Sequence, residues 1–272
     1  MVRLVHPFPS ILDGVVVAAV ALVAGGGLGT ATRLGLSMTS LQFAIGALND
    51  IVDAPADIGR IPPKPIPGGV ISENVARGVA AGSTAVGLLL AAPSGPATVA
   101  VAVGVLAVGA AYDMVAKGTP WSWLPFAVGI PLLPLYGWLG SAGSLPPFFG
   151  VLLPMAVLAG AALAIANARA DHEVDLAAGT RSVATALGSS GSWWVGAALL
   201  IAATVIGLVG TQPSSWPSLP AALIIGGTVI VLGGLALGRG EGTGARRHAW
   251  EAQALGAALA GTGWVAALLA AT

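Results

Sequence analysis

Six of the eleven acidic residues in this 272-residue chain fall in two short clusters. The first comprises Asn49, Asp50, Asp53 and Asp57; the second comprises Asp171, His172, Glu173 and Asp175. Asp50, Asp53 and Asp57 stand at i, i+3 and i+7, which on a helix places three carboxylates on one face. Asp171 and Asp175, at i and i+4, do the same. Like charges so placed repel, and the cost rises where water is scarce, so the clusters persist most easily where cations neutralise them. The chain has no cysteine and one histidine within the clusters, so its donors are almost all oxygens and suit Mg²⁺ better than zinc or copper. Mg²⁺ keeps few protein ligands and is completed by phosphate oxygens, which points to a diphosphate held by metal ions that stabilise it as a leaving group.

Basic residues accompany the acids. Arg60 and Lys64 follow the first cluster in a Pro/Gly-rich stretch, and Arg181 follows the second. Tyr112, Asp113 and Lys117 stand at the end of an apolar run. Arg239, Arg246 and Arg247 have no acidic cluster beside them and read as topological charges.

These groups must be positioned by membrane helices. Charged residues make up only 8% of the chain, hydrophobic ones 56%, and the mean hydropathy is +0.90. That composition excludes a soluble enzyme, a disordered chain and a nucleic-acid binder. Nine spans of apolar residues are expected, at roughly 11–32, 36–52, 74–92, 97–116, 120–140, 147–169, 192–210, 219–238 and 248–271. The separators are turn-rich, at 93–96, 140–147 and 211–218. The first span lacks a small-residue cleavage site and reads as retained. With a cytoplasmic N-terminus, ten of the eleven Lys and Arg lie inside and only Arg33 outside, a strong positive-inside pattern that puts both acid clusters on the cytoplasmic face and the C-terminus outside. Trp121, Trp123, Trp193, Trp194 and Trp250 fall at inner ends, with Trp138, Trp216 and Trp264 at outer ends. Asp13, just inside the first span, reads as an interfacial residue. The glycine run at 25–29 reads as helix packing within the first span. Small residues around Gly46 and Ala47, and at Ala161 and Ala162, fit either close helix packing or a widened tunnel.

The motifs resemble those of the UbiA family of intramembrane prenyltransferases. Its first motif, N-D-x-x-D-x-x-x-D, is matched by Asn49, Asp50, Asp53 and Asp57, and its second, D-x-x-x-D with a middle acid, by Asp171, Glu173 and Asp175. The base, Pro and Pro/Gly turn that follow the first motif resemble Lys64 through Gly69, with Lys where Arg is more usual. A Tyr-x-x-x-x-Lys pair after the fourth helix is reproduced by Tyr112 and Lys117, and a Gly-Thr stretch ending in Leu-Gly by Gly179 through Gly188. One departure is Pro55 inside the first motif, which predicts that the helix ends near Val52 or Asp53 and leaves Asp57 on a loop.

The resemblance covers nearly the whole chain. It implies a single transmembrane domain, 1–272, all-α, with nine helices around a central cavity, capped by cytosolic loops at about 53–73, 113–119 and 170–191. It implies transfer of an isoprenoid chain from a polyprenyl diphosphate to a lipophilic acceptor of aromatic or lipid type, with two Mg²⁺ ions, in the cell (inner) membrane. On that basis Asp50, Asp53 and Asp57 ligate one ion and Asp171 and Asp175 the other. Asn49 orients the first of these sites, and Lys64, Lys117, Arg181 and Tyr112 contact the diphosphate. Glu173 is a supporting group or a base near the acceptor, and His172 a rim residue. A terpene cyclase on the same scaffold, working without an acceptor, is the alternative. A cation transporter is disfavoured because its carboxylates would lie at mid-span. No nucleic acid partner is expected.

Overall fold

A computed structural model describes residues 2–59, 63–209, 218–240 and 242–270. Arg60, Trp216, most of the 211–218 separator and the side chain of Arg3 lie outside the described residues. The described residues are helical, without strands. Ten α-helices follow in order: α1 (Pro7–Val23), α2 (Gly27–Asp53), α3 (Glu73–Ala91), α4 (Pro96–Ala111), α5 (Leu124–Ala142), α6 (Phe149–Ala170), α7 (His172–Ala177), α8 (Val183–Val209), α9 (Leu219–Leu237) and α10 (Thr243–Ala270). Seven of these, α3–α6 and α8–α10, are long and apolar enough to cross a membrane. Apolar α1 is shorter, at 17 residues. The 27-residue α2 carries the first acid motif.

The first boundary differs from the sequence expectation. The glycine run does not continue a span. Gly25 and Gly27 adopt φ of 82° and 65°, a left-handed conformation that glycine takes without a steric penalty, and the chain turns there. The segment 170–191 is also more structured than a loop. It holds α7 and the first turn of α8, which breaks at Gly188, where φ is 72°.

The chain divides into two compact units, residues 1–115 with 132–145 and residues 116–131 with 146–272. In the first unit α2 packs on α1, α3 and α4. Gly14 and Gly35 bring α1 and α2 so close that a Cβ on Gly35 would lie 2.8 Å from the Gly14 carbonyl oxygen. Ser37 of α2 donates to the Gly87 carbonyl at 2.6 Å and shares a 2.6 Å hydrogen bond with the buried Tyr136 hydroxyl. Those bonds satisfy polar groups where lipid supplies no partner. Arg33 has a local structural role. Its guanidinium donates to the Leu90 carbonyl at 2.5 Å and to Ser94 Oγ at 2.7 Å, placing a cation at the negative end of α3. Asp13 is not an open interfacial residue. It is half-buried and accepts from Gln42 Nε2 of α2 at 2.7 Å. Trp138 is buried as well and does not face lipid.

In the second unit α6 packs on α8, and α9 on α10. Ala162, Ala197, Leu200, Val231 and Leu235 form its apolar core. Ala161 and Ala162 therefore serve packing, as does Gly46 in the first unit, whose Cβ would meet Val5 at 3.0 Å. Trp264 is buried too, donating its indole N–H to the Gly207 carbonyl at 2.7 Å. The α9–α10 seam rests on Gly227 and Gly256; a Cβ on Gly256 would sit 2.6 Å from the Gly227 carbonyl oxygen. Gly256→Leu is expected to destabilise the fold by about 3 kcal/mol, the upper range for overpacking, because backbone and not a movable side chain blocks it. Denaturant unfolding in detergent checks this, with Gly78→Ala, which points into open space, expected to be near neutral.

Candidate active site

The first motif sits at the end of α2, where Pro55 stops the helix because it cannot donate the next backbone bond. Asp50 and Asp53 are on the last turns of α2, and Asp57 follows in a turn whose amide donates to the Asp53 carbonyl at 3.0 Å. Asp57 thus joins the cluster from a turn, as Pro55 foretells, and not as the third member of a helical stripe. Asp50 and Asp57 are buried, with Asp50 only 2% exposed. The Pro/Gly stretch folds over them. Gly68 and Gly69 donate back to the Lys64 and Ile66 carbonyls, and Ile66 and Ile71 pack with Leu4, Ala47 and Ala76. This anchors Lys64, whose ammonium lies 2.7 Å from Asp50 Oδ1 and 3.6 Å from Asp57 Oδ2. His6 Nε2 is 3.4 Å from the same Asp50 oxygen. The other oxygen of Asp50 is buried and has no hydrogen-bond partner among the described residues.

Asp113 is the residue that motif reasoning left without a role. It is buried on a π-helical turn, residues 112–116, directly after Tyr112, and its Oδ1 accepts from Asn49 Nδ2 at 2.7 Å. With its amide nitrogen engaged there, Asn49 has its carbonyl oxygen left to offer elsewhere. The available signal was an acid at the end of an otherwise apolar span, which in a membrane protein is a functional candidate by default.

In the second unit Asp171 ends α6 and precedes α7, and the Asp175 amide donates to the Asp171 carbonyl at 2.8 Å, stacking the two residues one turn apart. Asp171 is exposed and Asp175 half-buried. Burial raises the Asp175 carboxyl above its usual range and the Asp171 charge adds to this, while Lys117 opposes it from nearby. Arg181 is exposed and Tyr112 half-buried. His172 is buried and not on the rim, and its Nδ1 has no partner among the described residues.

The expectation for Arg246 is corrected. It is buried, and its Nη1 lies 2.5 Å from Glu173 Oε1 and 3.5 Å from the Arg169 carbonyl at the end of α6. Its Nη2 reaches Ser189 Oγ at 3.4 Å. Arg169 in turn donates to the Gly238 carbonyl at 3.0 Å. Two guanidiniums therefore cap helix C-termini, where the backbone dipole favours cations, and Glu173 ties α7 to them. Glu173 is thereby ion-paired to Arg246. Because its carboxylate is half-exposed, water replaces the lost partner in Arg246→Met, and the expected destabilisation is about 1–3 kcal/mol. Thermal unfolding of the two proteins side by side measures it.

Among the described residues, no three His, Asp or Glu side chains converge tightly enough to form a ready-made metal cage. The donor set still fits Mg²⁺, which takes oxygen ligands and leaves positions for water and phosphate. The buried, unpartnered oxygen of Asp50 is one such donor.

The sequence matches the model of the UbiA prenyltransferase family over residues 14–250. The chain belongs to that family. UbiA membership implies prenyltransferase activity in general, and with the seven apolar helices it makes this an integral membrane protein. No curated protein matches the chain by sequence. The fold is similar to an apo UbiA homologue from Aeropyrum pernix K1, with a TM-score of 0.78 at 18% identity, covering 97% of this chain and 98% of that one. It is similar to a UbiA homologue from Archaeoglobus fulgidus bound to GPP and Mg²⁺, with a TM-score of 0.74 at 18% identity over 95% and 96% of the two chains. A structure of digeranylgeranylglyceryl phosphate synthase matches with a TM-score of 0.69 at 15% identity over 98% and 97%. At these identities the likeness carries the fold.

Proposed function

We propose that this UbiA protein catalyses Mg²⁺-dependent transfer of an isoprenoid chain from a polyprenyl diphosphate to a lipophilic acceptor, aromatic or lipid in type, within the membrane. The observation that carries the reading is the buried Asp50, with one oxygen on Lys64 and the other without a partner among the described residues, at the end of a helix in a family-specific motif. The Archaeoglobus homologue bound to GPP and Mg²⁺ supports the substrate class and the metal.

Asp50, Asp53 and Asp57 would hold one Mg²⁺ ion and Asp171 and Asp175 a second. When bound, Mg²⁺ supplies the positive charge that stabilises a departing diphosphate. Lys64, Lys117 and Arg181 donate to diphosphate oxygens, with Tyr112 as a further donor, and Asn49 presents its carbonyl oxygen to the first site. The allylic carbon–oxygen bond breaks with its electron pair leaving on the diphosphate. The acceptor's nucleophilic atom then bonds to the allylic carbon and loses its proton. Apolar helices exclude the water that would otherwise capture the cation. The protein spans the membrane nine times, with the N-terminus and motif-bearing ends cytoplasmic, a reading that rests on the ten-to-one distribution of basic residues.

Asp113 acts through Asn49 in this scheme. Asp113→Ala is expected to raise the Mg²⁺ concentration for half-maximal diphosphate release by roughly 10–100-fold, the range for groups that orient metal ligands. A Mg²⁺ titration of wild type and variant measures it.

Incubating the purified protein with Mg²⁺ and prenyl diphosphates of several lengths, with and without aromatic and lipid acceptors, tests the reaction by mass spectrometry. A prenylated acceptor is the expected product. A cyclised hydrocarbon formed without an acceptor would replace this reading with the cyclase.

A further inference from the structure

A groove with a cavity of about 420 Å³ lies in the second unit between α8 and α9, away from the acid motifs in sequence. Trp193, Trp194, Ala197 and Ala198 line it from α8, and Leu232 and Arg239 from the α9 side. The alanine methyls leave the space that larger side chains would fill. Its volume falls within the roughly 300–1,000 Å³ range of small-molecule sites. At one end of the groove the Arg239 guanidinium stacks over the Trp193 ring at 4.4 Å and lies 6.0 Å from Trp194. The two indoles meet edge to face at 4.7 Å. Trp193 is pinned by its N–H, which donates to the Leu235 carbonyl at 2.9 Å. Trp194 is 60% exposed. Among the described residues no acceptor takes its N–H, and no carboxylate pairs with Arg239.

An apolar track ending in an exposed, π-stacked cation and a free indole donor is complementary to a molecule with an anionic head and a hydrocarbon tail. We propose that this groove binds an anionic phospholipid of the surrounding bilayer. The phosphate sits on Arg239 and the Trp194 N–H, and one acyl chain lies along Ala197, Ala198 and Leu232. Arg239 thus does more than orient the chain: its charge selects the headgroup. The site is independent of the prenyl-transfer reading, since none of its residues belongs to the proposed diphosphate machinery.

The full chain is reconstituted in phosphatidylcholine vesicles containing increasing fractions of phosphatidylglycerol or of phosphatidylcholine with brominated acyl chains, which quench tryptophan on contact. Subtracting the signal of Trp194→Phe assigns the quenching to this groove. Half-quenching is expected at roughly fivefold lower mole fraction for phosphatidylglycerol, the preference one interfacial cation provides. Arg239→Gln should remove that preference, and Ala198→Leu, which fills the track with Arg239 intact, should weaken quenching by both lipids. Equal quenching by the two lipids, a preference that survives Arg239→Gln, or quenching untouched by Ala198→Leu would each overturn the proposal. Quenching that grows as the protein is diluted in lipid would also overturn it, by showing that a second copy of the chain covers the groove. Should Arg239→Gln fail to fold, the wild-type comparison and Ala198→Leu decide the matter.

Discussion

Asp50→Ala is expected to lower diphosphate release by roughly 10²–10³-fold or more, the scale for removing one preorganised charge-stabilising group from an active site. The loss should fall on chemistry and not on folding. Asp50 is almost wholly buried, accepts from Lys64 at 2.7 Å, and keeps its second oxygen in a buried position without a partner among the described residues. Breaking a buried ion pair usually costs about 3–5 kcal/mol because one charge is stranded. Here Lys64 retains Asp57 at 3.6 Å and is itself partly exposed, so the stranded charge is compensated and the variant should stay folded. Diphosphate release measured beside a size-exclusion profile separates the two effects. A folded Asp50→Ala protein with wild-type turnover would remove Asp50 from the mechanism.

Asp171→Ala should produce a loss of the same order for a different structural reason. Asp171 is exposed, and as the residue preceding α7 its side chain makes no capping hydrogen bond. The bond that stacks Asp175 beneath it comes from the Asp171 backbone carbonyl, which alanine also has. The carboxylate is exposed, so water can replace what it touches, and thermal unfolding measured beside the assay separates a loss of chemistry from a loss of stability. The same diphosphate assay checks it, and retained turnover in both this variant and Asp50→Ala would sink the two-cluster mechanism.

Much of the local geometry of this candidate site was legible in the sequence because its signals depend on near neighbours. Carboxylates at helical spacing, a proline that must end a helix, and a Pro/Gly turn carrying a base all depend on near neighbours, and Pro55 correctly removes Asp57 from α2. What was not legible depends on residues far apart in the chain. Arg246 is 73 residues from Glu173, and nothing in its local surroundings distinguishes it from Arg247, which reads as a surface charge. Asp113 meets Asn49 across 64 residues. Trp138 and Trp264 sit at span ends, where tryptophan usually marks the lipid interface, yet both are buried because neighbouring helices cover them. The glycine run at 25–29 is ambiguous for a similar reason: helix-packing glycines and turn glycines look alike until a positive φ separates them.

In the proposed reaction this UbiA protein ionises a prenyl diphosphate in a Mg²⁺-dependent step. The most direct measurement is diphosphate release by the purified, reconstituted protein given a prenyl diphosphate and a lipophilic acceptor, with Mg²⁺ and again with EDTA. Release in the presence of Mg²⁺ that stops on chelation and returns when Mg²⁺ is restored is the expected result. Release that continues unchanged in EDTA, or no release from any prenyl chain length with Mg²⁺ supplied, would contradict it.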